Sequence, residues 1–284
     1  MTVPPLTWLY VPADRPDRVE KALASVAHAV IVDLEDGVAP AAKAAARANL
    51  SSLLDRSRGK TVLVRVNGLH TGLAGADLEV AAALAGVDAI SIPKVERPED
   101  VDRALSLLPR TLPLHCLIES ASALEEAFRI ASAPGVAGVS LGEADLRSQT
   151  GALEEGLDWA RGRIVNAAVA AGLPRPPQSV YPHVRDVEGL ARSCRRGRQL
   201  GHLGRAAIHP DQLAVIEQAY LPTGEEVEQA RATIAQLEQT AAASTLAGGV
   251  FVDAAMLGAA LQIVAISERY GTSANVLDGE RAVH

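Results

Sequence analysis

The feature that most constrains this chain is a regular alternation of short apolar runs with longer stretches of helical spacing. The eight runs, rich in Val, Ile and Leu, lie near 6–11, 28–34, 61–66, 88–93, 112–118, 136–141, 178–181 and 203–208. Apolar strands separated by helices indicate a parallel sheet that is buried on both faces. Eight such units favour an α/β fold of the TIM (β/α)8 barrel class, with an open doubly wound sheet as the alternative.

The chain is longer than the predicted barrel needs. Its 284 residues exceed the roughly 250 residues of a typical β/α barrel, so we expect a barrel catalytic domain over residues 1–221 and a helical extension over residues 222–284. Pro222 predicts a helix to about Ala243, and Gly248 and Gly249 precede a second helix from about Asp253 to Ser267. The extension is either a lid over its own barrel or an arm that reaches a neighbouring subunit.

Composition excludes several classes of protein. Hydrophobic residues form 48% of the chain and charged residues 21%, which is typical of a folded globular protein. The net charge of −7 argues against a nucleic-acid partner. The two cysteines, Cys116 and Cys194, have no metal-ligand spacing, and no run approaches 18 apolar residues, so we expect no zinc site, no membrane partner and a cytoplasmic location.

Polar residues follow most of the predicted strands. In a β/α barrel the active site lies at the carboxyl ends of the strands, so these residues should share one rim. They are Asp33, Glu35 and Asp36 after the second run, Arg65 and Asn67 after the third, Lys94 after the fourth, Glu119 after the fifth, Glu143 and Asp145 after the sixth, and His209 after the eighth. Each one alone is also compatible with a helix cap or a solvated loop charge.

Glu119 and Asp145 follow adjacent predicted strands, where their carboxylates could share one cation. A site built from oxygen donors, with no neighbouring Cys or His pair, suits magnesium or manganese better than zinc. We therefore predict a magnesium or manganese ion on Glu119 and Asp145. The alternative is that Glu119 caps the helix that begins near Ala121 and that Asp145 caps a turn.

Arg65 ends the third run and precedes Asn67 and Gly68. Its guanidinium can bind a substrate carboxylate through two parallel hydrogen bonds, which a lysine cannot reproduce. An internal ion pair of Arg65 with Asp33 or Glu35 is the alternative, and it is compatible with substrate binding.

Several motifs together resemble one family. They are Val11 to Pro16, Asp33 to Val38 with Lys43 and Arg47, Arg65 to Asn67, Pro93 to Glu96, Glu119 to Ala121, Gly142 to Leu146, and Ile208 to Pro210. The chain resembles the aldolase and citrate lyase family, which includes malyl-CoA and citramalyl-CoA lyases, and within it the citrate lyase beta subunits. The sequence departs from the family pattern at Glu143 and Ala144, and at Ala255, where relatives usually have proline.

The resemblance implies a site and a reaction. It places magnesium on Glu119 and Asp145 and a keto-acid carboxylate near Arg65. It also implies that a thioester of coenzyme A or of an acyl carrier protein enters from the same rim, with Arg15 and Arg18 near its phosphates. Asp253 would reach a neighbouring subunit's site in a homo-oligomer, a trimer by the resemblance.

The reaction implied in this way is cleavage of citryl-CoA to oxaloacetate and acetyl-CoA, with Asp253 as the proton shuttle. Asp33, Glu35 and Asp36 are expected to orient Lys94, Arg65 and metal-bound water. The predicted catalytic residues are Asp253, Arg65, Glu35 and Asp36, and the predicted substrate-binding residues are Arg65, Glu119, Lys94 and Arg15. A malyl-CoA or citramalyl-CoA lyase, a thioesterase, and a non-catalytic subunit of a larger lyase assembly are the alternatives.

Overall fold

The computed structural model describes residues 3–55, 59–239, 244–245 and 251–273. Contacts divide the chain into two compact units. One spans Pro5–Ile216, and the other contains Val3, Pro4 and the described residues from Glu217 onward. The division falls between residues 216 and 217, and the expected boundary between residues 221 and 222 stays a prediction. The role of the second unit as a lid or an arm stays a prediction.

The first unit is built on a parallel sheet. Its seven strands are β1 (Thr7–Pro12), β2 (Ala29–Asp33), β3 (Thr61–Arg65), β4 (Ala89–Ile92), β5 (Leu114–Ile118), β6 (Val136–Leu141) and β7 (Arg205–Ala207). Their spatial order within the described part of the chain is β6-β5-β4-β3-β2-β1-β7. Each strand from β2 to β6 therefore pairs with its predecessor in sequence, and β7 returns to β1, so the sheet curls as the predicted β/α barrel requires.

The seventh of the eight predicted runs is reduced to one bridge. Gln178 pairs in parallel with Arg205, and the Ser179 hydroxyl donates to the carbonyl oxygen of Leu141 at the end of β6. Pro176 and Pro177 precede this segment. Because proline has no backbone N–H to donate to a ladder, the run cannot extend its pairing in that direction. The seventh run therefore contacts both β6 and β7, but it does not form a regular strand.

Helices surround the sheet in the first unit and form most of the second. Those described are α1 (Pro16–Ala24), α2 (Lys43–Leu53), α3 (Ala74–Ala83), α4 (Pro98–Leu107), α5 (Ala121–Glu125), α6 (Ala127–Ala131), α7 (Glu143–Thr150), α8 (Asp158–Ala170), α9 (Val187–Gln199), α10 (Leu213–Tyr220), α11 (Gly224–Gln239) and α12 (Leu257–Tyr270). In the described residues, no helix is long and apolar enough to cross a membrane.

The centre of the curled sheet is apolar at one end and polar at the other. Trp8, Ile31, Leu63 and Ala206 form a buried cluster inside the sheet. Because side chains alternate along a strand, the next inward positions toward the carboxyl ends include Asp33 and Arg65. Apolar burial, at about 25 cal/mol per Å², stabilises the cluster around Trp8. Polar side chains occupy the inward positions at the carboxyl ends of the strands.

In the second unit, α11 and α12 pack against each other. The short strands β8 (Ser244–Thr245) and β9 (Phe251–Val252) pair in antiparallel fashion. The predicted glycine hinge at Gly248 and Gly249 lies outside the described residues, as does the predicted helix end at Ala243. Asp253, the predicted proton shuttle, accepts a hydrogen bond from the backbone N–H of Ala255 at 3.0 Å and caps a short 3₁₀ turn before α12.

Candidate active site

A cavity of about 1280 Å³ opens among the residues that follow the carboxyl ends of the strands. Several of the predicted rim residues line it together, and the lining also contains Tyr10 and His115 from strands β1 and β5. Among the predicted residues are Asp33, Asp36, Arg65, Glu119, Glu143 and Asp145. The strand ends of one parallel sheet meet at one edge, so residues distant in sequence share this cavity.

Arg65 forms the internal ion pair that its sequence position allowed. Its Nε and Nη2 each donate to one carboxylate oxygen of Asp33 at 2.7 Å, and its Nη1 lies 3.1 Å from Glu35 Oε2. Asp33 is only 3% exposed and also accepts from the backbone N–H groups of Glu35 and Gly37. Burial alone would lower the pKa of Arg65, but the bond to Asp33 raises it, so Arg65 stays charged.

Two of the five N–H groups of the Arg65 guanidinium donate to Asp33, and Nη1 is ion-paired with Glu35. The carboxylates therefore fix the orientation of the guanidinium, and the remaining edge can bind a ligand carboxylate.

Lys94 connects two parts of the site. Its ammonium donates to Glu35 and lies 3.5 Å from Asp36 Oδ2, while its backbone N–H donates to Glu119 Oε2 at 3.0 Å. Burial lowers the pKa of Lys94, but the bond to Glu35 outweighs it and the net shift is upward. Lys94 has a φ of +54°, a conformation that costs a non-glycine residue of order 1–3 kcal/mol. This conformation directs its N–H at Glu119.

Glu119 is the most strongly perturbed carboxyl group of the site. It is 7% exposed. Burial raises the pKa of Glu119 to about 7, Lys94 opposes the shift, and the charges of Glu35 and Asp145 add to it. The repulsion from Asp145 places the two predicted metal ligands within electrostatic reach of each other. A cation between them would relieve that repulsion.

The helix-cap alternatives for these two residues are not realised. Ser120, not Glu119, caps α5 by accepting from the backbone N–H of Ala123 at 3.1 Å. Gly142 occupies the N-cap position of α7, which has no side-chain cap, and Asp145 is exposed in the first turn of that helix. Both carboxylates therefore remain available to a ligand.

The Glu143 carboxylate is paired with an arginine and is therefore a poor candidate for a metal ligand. Arg161 of α8 is 2% exposed and donates to both Glu143 oxygens, from Nε at 2.9 Å and from Nη2 at 2.6 Å. Arg161 also pairs with Glu154 and Asp158. A carboxylate so fully paired is a poor metal ligand, so of the two acidic residues after β6 only Asp145 remains.

Other predicted residues lie apart from the centre of the site. Arg15 is about half exposed and pairs with Asp17 at 3.5 Å, whereas Arg18 lines the cavity. His209 caps the turn that follows β7 by accepting from the backbone N–H of Asp211. Asp253 belongs to the second compact unit, so its predicted role stays a prediction.

Sequence reasoning missed the polar residues inside the sheet. The His115 ring bonds to the Ser140 hydroxyl, and burial lowers the pKa of His115 to about 4, so the pair is neutral at pH 7. The Arg65 guanidinium lies over the Tyr10 ring, 5.0 Å from the ring centroid. The period-two alternation along β1 and β5 is the pattern that places Tyr10 and His115 on the inner face.

The donor set fits magnesium. No group of three or more His, Cys, Asp or Glu side chains among the described residues is arranged to hold a metal, so a metal here would rest on two protein carboxylates. Magnesium usually keeps several waters and binds through one or two carboxylates. Glu119 and Asp145 supply those two oxygen ligands, and the cavity leaves room for water and substrate.

Gly142 approaches Glu119 so closely that a side chain cannot fit. A Cβ at this position would lie 2.4 Å from Glu119 Cγ and 2.6 Å from its Oε1. We predict that Gly142→Ala displaces the Glu119 carboxylate and weakens magnesium binding about 10- to 100-fold, the range seen when groups that orient a ligand are lost. Calorimetric titration with Mg²⁺ measures this. The control is Gly75→Ala in α3, where a Cβ meets nothing within 4 Å; equal affinities in both variants would contradict the prediction.

Residues 6–210 match the HpcH/HpaI aldolase/citrate lyase family. A (3S)-malyl-CoA thioesterase of Cereibacter sphaeroides is 38% identical over 241 residues, which cover 81% of this chain and 82% of the relative. An L-malyl-CoA/beta-methylmalyl-CoA lyase of the same species is 33% identical over 299 residues, with 92% and 93% covered.

Among solved structures, CitE from Mycobacterium tuberculosis in complex with magnesium, acetoacetate and coenzyme A superimposes with a TM-score of 0.79. It is 33% identical, and the match covers 94% of this chain and 99% of that one. The predictions of the family and of the barrel-type fold are confirmed by these matches.

Proposed function

Since the chain belongs to the HpcH/HpaI aldolase/citrate lyase family, we propose that it is a magnesium-dependent lyase that cleaves the coenzyme A thioester of a short hydroxy dicarboxylic acid of the malyl type. The observation that carries the proposal is the pair Glu119 and Asp145 in one cavity with an oriented Arg65. The pair fits magnesium, and the guanidinium edge fits one carboxylate.

The charges of the site favour a malyl over a citryl substrate. A malyl thioester carries one free carboxylate, and a citryl thioester carries two. Arg65 has one edge left, and the Lys94 ammonium is already held by Glu35 and Asp36. A second substrate carboxylate would enter a cavity lined by Asp36 and Glu119, and repulsion between like charges is costly at low dielectric. The curated relatives that act on malyl-CoA support the same choice.

The mechanism follows from the arrangement of these side chains. Arg65 holds the carboxylate next to the hydroxyl-bearing carbon, so that the scissile bond is aligned. A base takes the hydroxyl proton, the carbon–carbon bond breaks to give glyoxylate, and the remaining enolate of acetyl-CoA takes up a proton. Glu119 and Asp145 would hold the magnesium ion, which would supply Lewis-acid stabilisation of developing oxygen charge. Asp253 is the proposed proton shuttle, and Asp33, Glu35 and Asp36 keep Arg65 and Lys94 in place.

Hydrolysis of the same thioester is the second candidate, because the 38% identical relative is a malyl-CoA thioesterase. A hydrolase must admit water to the thioester carbonyl, whereas a lyase only has to protonate an enolate. The two reactions leave different products from malyl-CoA, namely acetyl-CoA with glyoxylate, or malate with free coenzyme A.

The test is a turnover screen of the purified protein with malyl-CoA, citramalyl-CoA and citryl-CoA, each with and without Mg²⁺. We expect glyoxylate from malyl-CoA, only with the metal. Free thiol without glyoxylate would favour the thioesterase, and oxaloacetate from citryl-CoA would favour the citrate lyase activity. Turnover that appears only after an acyl carrier protein is added would indicate a subunit of a larger lyase assembly.

We predict that Arg65→Lys weakens glyoxylate binding to the magnesium-loaded protein about 10- to 100-fold, because the charge remains but the two-point geometry is lost. The change in unfolding free energy should be smaller, since a lysine can still pair with Asp33. Calorimetry and urea unfolding measure the two effects. The matched control is Arg147→Lys, which changes an exposed arginine of the same cavity that pairs with Glu154. Equal glyoxylate affinity of wild type and Arg65→Lys would show that Arg65 is structural.

A further inference from the structure

Tyr10 presents a hydroxyl group without a hydrogen-bond partner to the cavity. It lies on β1 and lines the cavity beside Arg65, whose guanidinium packs 5.0 Å from the centre of its ring. No residue in the described ranges hydrogen-bonds to the Tyr10 hydroxyl, whereas the Tyr181 hydroxyl in the same cavity donates to Asp186 at 2.6 Å. Since polar groups in such positions are normally paired, the Tyr10 hydroxyl has capacity left for a ligand.

The surroundings of Tyr10 decide what kind of ligand atom it can bind. Burial raises the pKa of Tyr10 to about 12; Arg65 opposes the shift, and the carboxylates of Asp33, Glu119 and Glu35 add to it. The phenol therefore keeps its proton at neutral pH and can donate it in a hydrogen bond. A donor without charge complements an anionic oxygen in a cavity that already contains several carboxylates.

We propose that the Tyr10 hydroxyl and the remaining edge of Arg65 together bind the carboxylate of a short 2-oxo acid. Arg65 donates two of its five N–H groups to Asp33 and lies beside Glu35 through Nη1, so it keeps donors for a ligand, and a carboxylate can accept about four hydrogen bonds. Tyr10, whose ring lies under the Arg65 guanidinium, supplies a further donor from the same cavity. This inference rests on the proposed function and makes Tyr10 a specificity-determining residue of the same site.

The ring and the hydroxyl of Tyr10 have separate roles. The ring supports the Arg65 guanidinium by a cation–π contact, and the hydroxyl binds the ligand. Tyr10→Phe keeps the ring and removes only the donor, so it separates ligand binding from the support of Arg65.

The experiment is calorimetric titration of the magnesium-loaded protein with glyoxylate and with oxaloacetate. Tyr10→Phe should weaken binding of the 2-oxo acid about 10- to 100-fold, the loss expected for a hydrogen bond to a charged group. Its Mg²⁺ affinity and its urea midpoint should equal those of the wild type. Tyr181→Phe is the matched control, because it removes a cavity hydroxyl that already has a protein partner.

A double variant tests whether both donors serve one carboxylate. If they do, Tyr10→Phe combined with Arg65→Lys should lose less than the product of the two single losses. Unchanged 2-oxo acid affinity in Tyr10→Phe, with normal binding by the wild type, would overturn the role of Tyr10 and leave the proposed function intact. A magnesium-loaded wild type that binds neither 2-oxo acid would overturn both.

Discussion

Replacing Glu119 or Asp145 by alanine is expected to remove magnesium binding, with an affinity loss greater than about 100-fold. Loss of groups that merely orient a ligand costs about 10- to 100-fold, and each of these residues would supply one of two protein oxygens on the metal. Glu119 is buried and interacts electrostatically with Asp145. Because both carboxylates are needed for the site, the remaining one should not hold the metal alone. Activity that depends on magnesium should disappear with the binding.

The same pair should make magnesium affinity depend on pH. A metal ligand must lose its proton before it binds, and the pKa of Glu119 is raised to about 7. As the pH falls below 7, the proton competes with the metal, so we expect weaker binding at pH 6 than at pH 8. Calorimetry in buffers of different ionisation enthalpy should detect a proton released on binding at neutral pH.

The control for both variants is Glu155→Ala, which removes an exposed carboxylate lining the same cavity. Circular dichroism and urea unfolding should show that all three variants remain folded. Unchanged magnesium affinity in folded Glu119→Ala and Asp145→Ala would refute the metal assignment.

Mixing two inactive variants is expected to restore activity. Asp253→Asn lacks the proposed proton shuttle, and Glu119→Ala lacks a metal ligand. If the C-terminal segment of one subunit completes the site of its neighbour, a hybrid oligomer contains some sites in which both residues are wild type. The segment follows the predicted barrel units, and the resemblance to the family implies that its aspartate would reach a neighbouring subunit.

The competing arrangement is a lid that covers its own barrel. In that case every site of a hybrid carries one defect, and mixing restores nothing. The two variants should carry different affinity tags, so that hybrids are purified through both tags and their composition is verified before the assay. Each variant mixed with itself gives the baseline. Verified hybrids without recovered activity would rule out the shared site and favour the lid.

The sequence by itself determined the parallel sheet and most of the rim, and it favoured the barrel over an open doubly wound sheet. Apolar runs alternating with helical stretches force a parallel sheet, since no other layer arrangement buries such strands on both faces. The chain polarity of that sheet then brings Asp33, Arg65, Glu119 and Asp145 to one edge. These inferences depend on order and periodicity, which are properties of the sequence.

Which of these residues remain available to a ligand was decided only by the tertiary structure. Glu143 and Asp145 are equivalent candidates by sequence, but Arg161, 18 residues further on, binds Glu143 and leaves Asp145. Ser120 takes the cap that Glu119 could have formed. Such competition depends on distances between elements, which no local pattern encodes.

Backbone geometry and strand length were also tertiary outcomes. The left-handed conformation of Lys94 directs its N–H at Glu119 and costs energy locally, so local propensity argues against it. The run at residues 178–181 reads as a strand, yet it forms a single bridge, because the prolines before it cannot extend a ladder. The hydrogen bonding of the Tyr10 hydroxyl was also decided by the tertiary structure. The alternating pattern along β1 places the ring inside the sheet, but it does not specify whether a protein group pairs with the hydroxyl.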